Sequence, residues 1–206
     1  MLHHVRVATL AAAVIGAAAC ADAPSAPSAS LAPGDAPSLS AAAPQPSVAK
    51  FEVDYMMMTI DHHLAGIVMA QMCIEKAVHE ELRALCRESL ASQQRQIALY
   101  RSWLQQWYGI SYAGEIPQSA AQDIRRLSEL SGAAFEDEFL TEFSKHHLRI
   151  IKESEKAVER VYHEELRREA QMTVTNQSRQ VVQMQTWDCQ WYDDCRQGLI
   201  EQVQNR

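Results

Sequence analysis

Two histidine pairs carry most of the chemical potential of this 206-residue chain: His62-His63 and His146-His147, 84 positions apart. The same offset matches Phe51-Glu52 with Phe135-Glu136, and His79-Glu80-Glu81-Leu82-Arg83 with His163-Glu164-Glu165-Leu166-Arg167. It also matches Gln93 with Gln177, Trp103 with Trp187, and Trp107-Tyr108 with Trp191-Tyr192. So many rare residues in ungapped register mark an internal duplication.

Around the first pair, Met58 lies four residues before His62 and Met69 seven after, on one helical stripe. Thioether sulfur together with imidazole favours copper, Cu(I) above all, over hard cations. Methionine also fills irregular core space, and a histidine on an apolar helix face is commonly a buried hydrogen-bonding group. In the second copy Glu142 stands in place of Met58, Glu153 in place of Met69 and Glu138 in place of Asp54. Such carboxylates beside His146 would suit zinc or iron. Arg149 and Lys156 share that side, so an ion-pair network competes with a metal there. His62, His63, Met58, Met69, His146, His147 and Glu153 are therefore the candidate metal ligands. Gln93 and Gln177 sit in apolar seams where a buried amide needs a partner, and the facing imidazoles are the natural ones.

Cys73 and Cys86 flank the first hairpin turn symmetrically, and both positions become alanine in the second copy, Ala157 and Ala170. That paired change predicts a disulfide; the rival reading makes both thiols reduced Cu(I) ligands beside Met69 and Met72. Cys189 and Cys195 can bridge only where the last helix unwinds near Asp193-Asp194. Neither pair has a redox Cys-x-x-Cys spacing.

Helices must position these groups. Apolar residues recur at three- and four-residue steps from Phe51 to about Ala77. A break near Val78–Glu80 follows, then a second helix to about Tyr108, stopped by Gly109. Repeat 1 spans 51–108, a linker 109–134, and repeat 2 spans 135–192. Within the linker, Ser119 can cap a short helix ending at Gly132. Repeat 2 carries helices from about Ala134 to Arg160 and from His163 to Tyr192. Two helix hairpins joined by a crossover predict an all-α four-helix bundle, with no period-two stretch to form a sheet.

Before the bundle domain, 50–206, come two other segments. Residues 1–20 read as an export signal, and Ala17-Ala18-Ala19-Cys20 resembles a lipoprotein cleavage site with Cys20 as the acylated residue, with ordinary signal cleavage at Ala-x-Ala as the alternative. Residues 21–49 hold six of the seven prolines and almost no large apolar side chain, predicting a disordered tether. Its reach would be roughly 30 Å as a flexible coil. A formal charge of −7, with no basic stripe, argues against a nucleic-acid partner.

His62-His63-x5-Met69-Ala70, Gln93-x2-Gln96-Ile97-x5-Trp103-Leu104 and Leu130-Ser131-Gly132-x2-Phe135-Glu136, with His146-His147, resemble the domain-of-unknown-function 305 family. The resemblance covers about residues 51–192. It implies a ferritin-like helical bundle, export from a bacterial cytoplasm and, as in some members, periplasmic copper binding. Thr59 and Phe143 stand where the family usually carries methionine, and Gln96 and Gln180 where it carries glutamate.

Together these features predict a non-enzymatic copper-binding protein of the cell envelope, with metal ion and membrane as its partners. Cys20 would be the lipid anchor, in the outer membrane of a Gram-negative host because Ala21 is not aspartate. The alternative is a structural or partner-binding bundle whose histidines are buried and metal-free. Ferritin-like oxidase chemistry ranks last, since no Glu-x-x-His occurs on the core faces.

Overall fold

A computed structural model describes residues 43–195, which contain five helices and no strand among them. The signal segment, Cys20 and residues 21–42 of the tether lie outside the described residues.

Helix α1 runs Pro46–Lys76, α2 Glu80–Tyr108, α3 Gln118–Ser128, α4 Gly132–Arg160 and α5 Glu164–Tyr192. The first helix starts ahead of the expected Phe51 and takes the last residues of the supposed tether. Pro46 stands in its first turn, where the missing N–H costs nothing and the fixed φ already suits a helix. Ala77 leaves α1 in an extended conformation, and Gly109 closes α2 at φ 68°. Glycine adopts that angle without strain.

The crossover helix also differs from expectation. It begins directly after Pro117, so Ser119 is inside it and makes no cap bond. Gly132 opens α4 instead of ending α3, because extended Ser131 already separates the two helices. Lys76 Nζ donates to the Ser128 and Leu130 carbonyls at 2.8 and 3.0 Å, satisfying groups that the short helix leaves open.

Each long helix packs against its hairpin neighbour, α1 on α2 and α4 on α5, and α1 packs on α4. Helix α3 lies on both α1 and α4. The apolar core falls into two main clusters. One holds Met69, Cys73, Leu82, Phe135, Phe139, Phe143 and Met184, and the other Tyr55, Ile60, Ile97, Tyr100, Leu104 and Leu166. Along α1 the histidine pair falls between Ile60 and Met69, so a polar layer interrupts the core there.

Both cysteine pairs are bridged. Cys73–Cys86 joins α1 to α2 with Cα atoms 6.2 Å apart. Cys189–Cys195 closes where α5 ends, and Asp193 supplies the required unwinding in the left-handed region at φ 57°.

At the two ends of the bundle a buried glutamate replaces the missing side-chain caps. Glu136 of α4 accepts from the backbone N–H of Val78 and His79 at 2.7 and 2.9 Å, from the His79 ring, and from Tyr192 OH at 2.8 Å. Glu52 of α1 does the same for Tyr162 N, His163 N and His163 Nδ1 at 2.6, 2.8 and 2.7 Å, and for Tyr108 OH. Each carboxylate therefore caps a helix of the other hairpin. Trp191 stacks on His79 and Trp107 on His163, at 3.8 and 3.9 Å between ring centres. The repeated His79/His163, Glu52/Glu136 and Trp-Tyr positions are accounted for by these clasps.

Candidate metal centre

Residues equally far from a hairpin turn face each other across the two helices. Cys73 meets Cys86 in this way, and the same register sets His63 against Gln96 and Gly66 against Gln93. His63 Nε2–H donates to Gln96 Oε1 at 2.5 Å, and Gln96 Nε2 passes a bond on to Thr173 Oγ1 at 2.9 Å. The second hairpin repeats this, with His147 Nε2–H donating to Gln180 Oε1 at 2.9 Å.

Gln93 and Gln177 are thus not the imidazole partners expected from their place in the seams. They lie one turn nearer the hairpin turns, opposite Gly66 and Ile150, and their Oε1 atoms are buried without a hydrogen-bond partner. Counting from the turn, as the cysteine argument already did, would have singled out Gln96 and Gln180. Gly66 leaves room for a close approach: a Cβ there would lie 2.2 Å from Gln93 Oε1 and 2.9 Å from His146 Nε2, so both side chains would have to shift.

His63 and His147 are buried in the interior. Loss of water around the charged form pulls each imidazole down to a pKa of about 4.

His62 and His146 form a second pair at the α1–α4 contact, their rings stacked 3.6 Å apart. His62 Nε2–H donates to the His146 carbonyl at 2.9 Å, so the proton sits on Nε2 and the lone pair on Nδ1. That Nδ1 and His146 Nε2 are buried with no hydrogen-bond partner. Burial comes first, and neighbouring imidazoles and Arg149 add to it, in holding both pKa values well below 6.5. Both rings are neutral at neutral pH, the form a metal needs.

The pair borders a cleft of about 500 Å³ whose wall includes Met58, Asp61, Arg149, Lys152 and Glu153, with Pro117, Ser119 and Ala120 from the start of α3. Four candidate ligands meet here: Met58, His62, His146 and Glu153. Imidazole nitrogens without protein partners beside a thioether fit copper. Glu153 is engaged by Lys156 Nζ at 2.7 and 2.9 Å, and Asp61 by Tyr112 OH at 2.8 and 2.7 Å and Glu115 N at 2.8 Å.

The other candidates lie elsewhere. Met69 is buried in the cluster with Cys73 and Phe143, away from the cleft wall. It shares a stripe with His62, but seven residues of helix separate them by roughly 10 Å along the axis. His63 and His147 face inward. Glu138 and Glu142 are held by Arg126 at 3.0 and 3.2 Å, and Glu142 also by Lys145 at 2.8 Å, as an ion-pair network. Sequence reasoning missed Lys152, Asp61 and the α3 residues as parts of the cleft, since nothing local reports where the crossover packs.

Residues 52–188 match the sequence model of a domain of unknown function, DUF305. No curated protein matches the chain. Among solved structures, CopM in its Cu(II)-bound form shares 25% identity and a TM-score of 0.63, covering 68% of this chain and 97% of that one. CopM in its Cu(I)-bound form gives 26% and 0.61, with coverages of 68% and 97%. A DUF305 protein from Streptomyces coelicolor, at 19% identity and a TM-score of 0.60 over 66% of this chain and 89% of that one, shares the fold. Among the described residues no helix is long and apolar enough to cross a membrane.

Proposed function

The chain belongs to the DUF305 family, and from that premise we propose that it is a non-enzymatic copper-binding protein of the bacterial cell envelope. One observation carries this: the cleft gathers His62, His146 and Met58, and each imidazole keeps a neutral nitrogen that no protein group uses. His62, through Nδ1, and Met58 would hold the ion, with His146 beside them and Glu153 available once Lys156 releases it. Copper supplies a bond to soft and borderline donors that hard cations would not make. The similarity to CopM, solved with Cu(I) and with Cu(II), supports the choice of metal. His63, His147 and Met69 would shape the interior beneath the site.

Export through the signal segment, anchoring through lipidated Cys20, and descent of a ferritin-like bundle from a duplicated hairpin complete the proposal. Competition titration of the full chain with Cu(I) against a chelator tests the metal. Tight one-to-one binding that His62→Ala removes is expected. Equal binding by wild type and variant would refute the site.

A second function is favoured by a different observation. His63 and His147 each bond one glutamine, which is how purely structural histidines behave. A partner-binding bundle without metal would extend that pattern to all four, and metal analysis of protein purified from its native envelope separates the two.

A further inference from the structure

We propose that the cleft takes copper as an anionic complex with a small carboxylate chelator, bound through Arg149 and Lys152, and not as the bare ion. This rests on the copper function proposed above and concerns the form in which the metal arrives.

Two independent features point to it. The first is size. A cleft of about 500 Å³ is far more than one ion needs, since a water molecule occupies only about 30 Å³ of liquid. It falls within the roughly 300–1,000 Å³ of small-molecule sites.

The second is charge. Both carboxylates of the wall are already engaged, Asp61 by Tyr112 and the Glu115 amide and Glu153 by Lys156. Of the two cations, Lys152 is not, and Arg149 is held only by a long ion pair. Arg149 reaches Asp123 only at 3.6 Å and its side chain stays 54% exposed. Lys152 makes no hydrogen bond or ion pair among the described residues. The formal charges of the wall cancel, but its unfilled hydrogen-bond capacity is cationic: Asp61 and Glu153 already have donors, while Arg149 and Lys152 have donors to spare. Arg149 lies close enough for its field to act on both His62 and His146. A bare copper ion would leave those cationic donors unused. A complex with net negative charge meets attraction, its carboxylates accepting charge-assisted bonds from guanidinium and ammonium. Ala65 and Val68 occupy the matching places in the first repeat, so the cationic lip belongs to α4 alone.

The test is calorimetric titration of the full chain with three probes: copper(II) citrate, copper(II) nitrate in a non-coordinating buffer, and citrate alone. Wild type is compared with Arg149→Gln/Lys152→Gln and with Arg149→Lys. The double variant should lose at least about tenfold in affinity for copper citrate, while its affinity for copper nitrate stays equal or rises. Arg149→Lys should keep most of the citrate preference. Unchanged copper citrate binding, or an equal loss with both copper probes, overturns the inference. If the double variant melts early, ionic strength replaces it: sodium nitrate should weaken wild-type binding of the citrate complex but not of copper nitrate. The same response for both probes overturns the idea as well. Wild type that binds copper nitrate without preferring the citrate complex leaves the copper function standing and this inference fallen. Binding of neither form removes both.

Discussion

The two histidine pairs differ by one residue in sequence and by their whole surroundings in space. His63 and His147 point into the bundle, each donating to a glutamine of its own hairpin. His62 and His146 meet across the two hairpins, stack on each other and border a cleft. All four are neutral because burial disfavours the charged ring. For the inner pair, neutrality serves a fixed hydrogen bond. Each pair also keeps ring nitrogens that no protein group uses, Nδ1 of His63 and His147 among them, but only the outer rings border the cleft through which a metal can reach them. One step along a helix, a turn of about 100°, is enough to convert an internal polar tie into a candidate ligand.

Acid should test the inner pair most severely. Its folded pKa values lie near 4, below the ordinary 6.5, so between those limits the unfolded chain binds more protons than the folded one. Stability is then fully present above pH 6.5 and is lost as pH falls towards 4, on the order of 3 kcal/mol for each histidine. Below the usual carboxylate value of 4.5 the loss should continue. Hydrogen bonds to Tyr108, Tyr192 and the clasp histidines hold Glu52 and Glu136 ionised against the cost of burial. Denaturant unfolding across pH 4–8 measures the slope, and a flat profile would contradict the buried, neutral assignment. Copper should leave the inner pair's share of that slope untouched.

Exchanging the pairs in mutagenesis should separate their roles. His62→Ala is expected to weaken copper binding about 100-fold, close to 3 kcal/mol, with little change in melting temperature. His63→Ala should do the reverse. It strands the Gln96 carbonyl and opens a cavity, costing about 2–4 kcal/mol of stability, while copper affinity changes by less than about threefold. If both variants lose copper alike, the pairs are one site and the distinction fails.

Smaller effects refine the outer site. Met58→Leu keeps the volume and removes the sulfur, so copper affinity should fall about tenfold at unchanged stability. Gly66→Ala touches the seam between the pairs. Helix propensity gains up to about 1 kcal/mol, while Gln93 and His146 must shift to admit the methyl group. Net stability should move by less than about 1 kcal/mol, and copper affinity should drop severalfold as the His146 ring moves.

Much of the candidate site was legible before any coordinates. Thioether and imidazole at four-residue spacing brought Met58 and His62 to the same wall. The 84-residue offset paired His62 with His146, and symmetry about the turn found Cys73–Cys86. What failed were inferences that treated a shared stripe as a shared place. Met69 follows the helical period of His62 but lies two turns away, in another cluster. Gln93 and Gln177 follow the apolar seam but sit one turn from the rings they were expected to hold.

Sequence by itself determined the local quantities: the long helices and their turn positions, the Cys73–Cys86 staple and the chemical types on each face. These depend on periodicity, on Gly and Pro punctuation and on short-range pairing, all of which are written along the chain. Tertiary structure decided how one hairpin lies on the other and where α3 crosses. It thereby decided that His62 stacks on His146, that Glu52 and Glu136 cap helices of the opposite hairpin, and that Arg149 and Lys152 line the cleft. Those outcomes depend on side-chain packing across an interface between distant segments, and no local pattern encodes the angle and offset at which two apolar faces interlock.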